Sequence, residues 1–157
     1  MNHEEHEGHE ENRMMKSERI YLDVCALCRP FDDQRYIRIR LESEAVHLIL
    51  ETIRFKRMKL AVSPVHYEEI NDIADPVERY HLLSLLDNYG ERIDADVEKT
   101  RLRAETLFET GFGVADAAHV AFSEAVRANF VSCDDRLLKK CWKNSLDIWW
   151  VIPCNTA

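Results

Sequence analysis

The sequence has no run approaching the roughly 20 consecutive apolar residues that a bilayer-spanning helix needs, so it contains no transmembrane segment. Its N-terminal stretch, MNHEEHEGHEENRMMK, lacks the apolar centre of a signal peptide; nothing addresses the chain for export, and the cytoplasm is the expected compartment. An even set of cysteines is missing too. Five occur (Cys25, Cys28, Cys133, Cys141 and Cys154), an odd number that disfavours a disulfide framework and reads as reduced thiols. Cys25-x-x-Cys28 has the spacing of a zinc or redox pair, but no second pair matches it, and buried free thiols are the better reading. No internal repeat is visible. Uniform basic charge is also absent, the net charge being -8. Even so, Arg35 to Lys59 holds seven Lys or Arg against three acids, so charge is unevenly distributed.

With 157 residues the chain fits one domain and one active site. Residues 1–16 carry five Glu, three His and no aliphatic run, and cannot bury enough apolar area to offset the entropy of ordering. We expect a flexible acidic tail there, with His3, His6 and His9 as weak metal binders at most, and a single domain over residues 17–157. Glu18 to Val24 reads as a buried strand, ahead of the helix-disfavouring Arg29-Pro30. Ile39, Val46, Ile49, Leu50 and Ile53 recur at helical spacing and predict a long amphipathic helix. Lys59 to Val62 is a short strand; Ser63-Pro64 then opens a helix to about Ile73. Asp75-Pro76 opens another, to Asn88, closed by Gly90. A helix over Asp94 to Thr110 is ended by Gly111. Gly113 to Ala128, apolar nearly all round, reads as a helix enclosed by other elements. Phe130 to Ser132 is a strand, Asp134 to Trp142 a short helix, and Ile148 to Ile152 a last strand. Strands alternating with helices predict a three-layer α/β/α fold on a central parallel sheet of four to five strands, with right-handed crossovers and ligands bound beyond the carboxyl ends of the strands.

That sheet edge collects acids. Asp23 ends the first strand and Asp134 follows the strand at Phe130 to Ser132. Asp116 opens a polar strip with His119 and Ser123 on the enclosed helix. Glu68 and Glu69 lie early in the helix after Ser63, about 100° apart around it, so one of the two reaches the edge; Glu69 is the choice. Taken singly, Asp23 reads as a turn residue, and Asp116 and Asp134 as residues that favour helix starts. Together, converging carboxylates suit a hard cation such as Mg²⁺ or Mn²⁺, which in turn stabilises the charge on a phosphodiester in transition.

Four segments carry a family resemblance: Ile20-Tyr21-Leu22-Asp23-Val24, Ser63-Pro64-Val65-His66-Tyr67-Glu68-Glu69-Ile70, Val114-Ala115-Asp116-Ala117-Ala118-His119-Val120-Ala121 and Phe130-Val131-Ser132-Cys133-Asp134-Asp135. In this order and setting the sequence resembles the PIN-domain family. The resemblance implies a central parallel sheet and a ribonuclease site whose metal ligands match Asp23, Glu69 or Glu68, Asp116, and Asp134 or Asp135, with Ser132 supporting the last acid. It also implies the toxin of a bacterial toxin-antitoxin pair, with an inhibiting antitoxin protein and a homodimer as partners. The stretch from Cys28 to Gln34 departs from relatives that run straight into a helix after the first acid, and is expected to shape the substrate entrance.

Other residues stand beside this set. Glu42 shares the apolar helix face with Ile39, Val46 and Ile49, where it either helps the metal site, orients Arg38 or Arg40, or forms a rim salt bridge. Arg35, Arg38, Arg40, Arg54, Lys56, Arg57 and Lys59, with Arg136, Lys139, Lys140 and Lys143, could draw a phosphate backbone toward the acids, though each alone reads as part of a solvated face. His119 lies one turn after Asp116, either as a core histidine or as support for the site. The sequence reading is a Mg²⁺- or Mn²⁺-dependent endoribonuclease; the alternative is a catalytically weak PIN-like module that binds RNA or protein. A phosphatase on a similar sheet needs an acid two residues after Asp23, where Cys25 stands. A phosphorylatable receiver needs a Lys after a late strand, and none follows Phe130 to Ser132.

Overall fold

The computed structural model describes residues 18–146 and 150–151. The N-terminal segment with its three histidines and Cys154 lie outside the described residues, as does most of the last expected strand. Five strands form one sheet: β1 (Glu18–Leu22), β2 (Met58–Val62), β3 (Gly90–Arg92), β4 (Asn129–Val131) and β5 (Trp150–Val151), in the order β3-β2-β1-β4-β5 with every pairing parallel. The register pairs Leu22 with Val131 and Ile20 with Leu60, which sets the carboxyl ends of β1 and β4 side by side. Between those two strands the chain order reverses, and parallel sheets open a crevice at such a switch point.

Alternate strand residues feed two cores, as the two-residue period of a strand dictates. Ile20, Leu22, Leu60, Val62 and Val131 pack on one face against helices α1 (Val24–Cys28), α2 (Ile37–Arg54), α3 (Pro64–Asn71) and α4 (Pro76–Tyr89). Tyr21, Ala61 and Phe130 pack on the other against α5 (Val97–Glu109), α6 (Val114–Ala125) and α7 (Asp135–Lys143). The expected three-layer α/β/α architecture is therefore present. Arg103 ties α5 to α6 through both carboxylate oxygens of Glu124, at 2.7 and 3.0 Å.

Three local expectations are corrected. β1 ends at Leu22 because Asp23 caps α1, its Oδ1 accepting from Ala26 N–H at 2.8 Å; the chain does run straight into a helix after the first acid. A 3-10 turn over Arg29–Phe31 follows, where the sequence suggested only a loop. β3 was not expected at all, since Gly90 reads as a helix stop. Gly90 does cap α4, its N–H bonding Leu86 O, but it also begins a strand paired with Leu60. A Cβ there would collide with Leu86 O and sit 2.5 Å from Val62 Cγ2, so only glycine allows the approach. The enclosed helix α6 buries Ala117, His119, Val120, Ala121 and Ser123 but leaves Val114 exposed at its start.

Candidate metal and phosphodiester site

Each acid is placed by a local rule of chain geometry. Asp23 follows β1 directly, and its backbone N–H continues the ladder to Val131 O at 3.1 Å, which fixes it at the crevice between β1 and β4. Asp134 follows β4 by three residues and caps α7, its Oδ1 accepting from Arg136 and Leu137 N–H at 2.9 and 3.2 Å. Ser132, fully buried, accepts Asp134 N–H on Oγ at 3.0 Å and also hydrogen-bonds Asp23. It thus joins the two acids that end adjacent strands. Asp116 lies in the first turn of α6, where the N-terminal end of a helix favours negative charge. Glu69 projects from α3 and accepts His119 Nε2–H on Oε2 at 2.6 Å.

Asp23, Glu69, Asp116 and Asp134 all line one open cleft of ≈ 460 Å³, together with Val24, Cys25, Asp72 and His119. A second cavity of ≈ 90 Å³ beside β3, lined by Arg19, Lys59 and Glu91 among others, is small and occupied by paired surface charges. The electrostatics of the acid cleft set it apart. Burial pushes the Asp23 carboxyl up to about 6, against the bonds from Ser132 and Ala26, and neighbouring Asp116 pushes the same way. Asp116 is raised by burial and then by Asp134. Glu69 is lowered, chiefly by its bond to His119. Two of the carboxylates, Asp23 and Asp116, are thus held above their ordinary range by burial and by neighbouring acids, a tension that a bound cation would relieve.

The donor set matches a hard cation: four carboxylates offer oxygen, and the caps on Asp23 and Asp134 use Oδ1 of each while leaving a second oxygen. Among the described residues, however, no three His, Cys, Asp or Glu side chains stand close enough to enclose one ion as placed. Such an arrangement fits a cation that keeps much of its water shell, as Mg²⁺ does when one or two carboxylates bind it, and not a dehydrated cage.

The sequence left two choices open. Glu69 lines the cleft while Glu68 is exposed outside it, and Asp134 lines it while Asp135 turns away to pair with both terminal nitrogens of Arg38 at 2.7 Å. Glu42 does not reach the cleft. It is fully buried between Arg29 Nε at 2.6 Å and Arg38 Nε at 2.8 Å, so it orients Arg38, as one of the sequence readings had it, and not Arg40, which is exposed. Arg29 and Arg38 line an adjoining cleft with Cys25, Cys133, Asp134, Asp135 and Arg136. Several other basics pair locally, Arg35 with Asp33, Arg54 with Glu51 and Lys59 with Glu91, which is the bland reading of that stretch. Cys25, Cys28, Cys133 and Cys141 are free thiols.

Sequence reasoning missed Arg29, Tyr21 and His66. For Arg29 a signal existed, because a carboxylate at Glu42 on an apolar helix face demands a partner. For Tyr21 and His66 there was none: Tyr21 OH meets Ser63 Oγ at 2.7 Å and His119 Nδ1 at 2.5 Å, and His66 Nε2 donates to Leu22 O at 2.7 Å, all across long sequence separations.

No family model matches the chain, and no curated protein matches it. Solved structures do. FitAcB from Neisseria gonorrhoeae superposes with a TM-score of 0.55 at 14% identity, covering 87% of this chain and 99% of that one. FitAB bound to an IR36 DNA fragment gives 0.54 at 16% identity, over 85% of this chain and 94% of that one. PAE2754 from Pyrobaculum aerophilum gives 0.50 at 18% identity, over 80% and 81%. At these identities the likeness shows the fold.

Proposed function

Starting from a PIN-like α/β/α fold with four acids on one cleft, we propose that the chain is a Mg²⁺- or Mn²⁺-dependent endoribonuclease whose ligands are Asp23, Glu69, Asp116 and Asp134. The observation that carries the reading is that four carboxylates from four separate places in the sequence line the crevice at the β1/β4 switch point, where burial and a neighbouring acid raise the proton affinity of Asp23 and of Asp116. Nothing in packing requires that concentration of charge. When bound, a divalent cation supplies a nucleophilic hydroxide and stabilises charge on the phosphodiester. The chain's own part is to hold the carboxylates in place: the caps fix Asp23 and Asp134, Ser132 links them, and His119 fixes Glu69. The sequence resemblance extends the reading to the toxin of a toxin-antitoxin pair, acting on RNA, with an antitoxin protein and a second copy of the chain as partners.

A second reading, a weakly catalytic module that binds RNA or protein, is favoured by one observation: as placed, no three donors enclose an ion, and Glu69 is engaged by His119. One assay separates the two. Single-stranded and structured RNAs are incubated with the protein in Mn²⁺, Mg²⁺ or EDTA. The nuclease reading expects cleavage that EDTA stops, and a loss in Asp116→Asn larger than the roughly 10- to 100-fold typical of outer-shell changes. RNA binding without cleavage in any metal supports the binding module.

A further inference from the structure

Under the cleft, the sheet face carrying Tyr21 holds a line of buried polar side chains that packing alone does not call for. Tyr21, Ser63, His66 and His119 are each 0–2% exposed. Leu22 O can only accept, so His66 donates from Nε2 at 2.7 Å, and its Nδ1 accepts Ser63 N–H at 3.0 Å. At the other end the Glu69 carboxylate accepts from His119 Nε2–H at 2.6 Å. For a neutral His119 ring, Nδ1 then takes the Tyr21 hydroxyl proton at 2.5 Å, while Ser63 Oγ meets the Tyr21 oxygen at 2.7 Å and His66 Nδ1 at 3.2 Å. Donors therefore run in one direction from Tyr21 through His119 to Glu69, with Ser63 Oγ packed against the Tyr21 hydroxyl at the far end. Among the described residues no buried side-chain polar atom lacks a partner, so the network is fully satisfied.

A phenylalanine at 21 and an alanine at 63 would fill the same space at lower desolvation cost, and buried polar networks are kept at a cost in stability unless they specify something. This one ends on the half-buried Glu69, at the cleft wall. The ring of His119 is gripped at both nitrogens, edge-on to Tyr21 at 5.5 Å and to His66 at 5.1 Å between centroids. A ring so held gives a long, mobile glutamate one orientation, with Oε2 tied back and Oε1 left over.

We propose that Tyr21 and His119 are positioning residues, and that the buried Ser63–Tyr21–His119 chain orients Glu69 so that its free oxygen serves the divalent cation. The inference rests on the cation reading of the cleft. Outer-shell partners of this kind tune metal affinity by about 10- to 100-fold.

The test is Mn²⁺ titration of the full chain, followed by calorimetry and by the EPR signal of free Mn²⁺, at a temperature where every variant is folded by circular dichroism. Tyr21→Phe is expected to weaken Mn²⁺ binding by about 10-fold or more, and His119→Leu by up to about 100-fold. His119→Gln, which can keep an amide N–H donor toward Glu69, is expected to bind close to wild type. On a Glu69→Gln background, Tyr21→Phe should add nothing, a non-additivity that a purely structural hydroxyl would not produce. In the metal-free protein, imidazole ¹⁵N shifts should show His119 as the Nε2–H tautomer. If Tyr21→Phe binds Mn²⁺ as wild type does while Asp116→Asn abolishes binding, the positioning proposal falls and the cation reading stands. If wild type binds no Mn²⁺, or binds it indifferently to Asp116→Asn, both fall. Tyr21→Phe and His119→Gln decide the matter should His119→Leu fail to fold.

Discussion

Asp23 shows what it costs to build this cleft. The residue is 4% exposed, and burial lifts its carboxyl to about 6 from an ordinary value of about 4. Because the folded chain holds that proton to higher pH than the unfolded chain, the stability tied to it is full below about pH 4 and is lost as pH rises from about 4 to about 6. In chelated protein, Asp23→Asn should keep the cap to Ala26, match wild type near pH 4, and be more stable above pH 6 by up to about 3 kcal/mol. Urea melts across that pH range check it; equal stabilities at pH 8 would contradict it. Adding Mn²⁺ at pH 8 should stabilise wild type and not the variant. Glu42 is the contrasting acid, fully buried and paired with two arginines. Glu42→Ala strands Arg29 and Arg38, which stay partly hydrated, so denaturation should show a loss of about 1–3 kcal/mol with Mn²⁺ affinity unchanged. A large loss of Mn²⁺ affinity would place Glu42 among the ligands after all. Asp23, Asp116 and Asp134 were legible in the sequence because strand ends and helix starts are local signals. Tyr21 and His66 were not, since their meaning comes from partners up to 98 residues away.

At the level of elements, the sequence marked the long helices well and the short pieces poorly. α1 is five residues long and starts at an aspartate cap, too brief for a helical hydrophobic period to show. β3 is three residues long and shares Gly90 with the end of α4, so one residue carries two signals and only the helix stop is visible from sequence. The glycine has a measurable role. Gly90→Ala places a methyl against Leu86 O and Val62 Cγ2, and should cost about 1–3 kcal/mol by thermal or urea unfolding. A change within about 0.5 kcal/mol, typical of an unconstrained surface site, would show that β3 can move aside. The basic stretch on and after α2 illustrates the opposite lesson. Its charge was plain in the sequence, but Arg38 is committed to Glu42 and Asp135, and Arg54 to Glu51. Composition reports charge; only the fold reports which charges are already paired.

Across the whole molecule, the parallel order β3-β2-β1-β4-β5 turns scattered residues into a site. Reversal of strand order beside β1 opens the crevice, β1 and β4 deliver Asp23 and Asp134 to it, and α3 and α6, packed on opposite faces of the sheet, supply Glu69 and Asp116. The alternation of strands and helices foretold the layers, while the identity of the crevice depended on strand order, which no local pattern encodes. The central claim is that these four carboxylates hold a divalent cation. The most direct measurement is anomalous diffraction from crystals grown with Mn²⁺. We predict a Mn²⁺ peak in the cleft, within coordinating distance of at least one of Asp23, Asp116 and Asp134, with waters completing its shell. A cleft without anomalous signal at saturating Mn²⁺, or Mn²⁺ bound only elsewhere on the chain, would contradict the account.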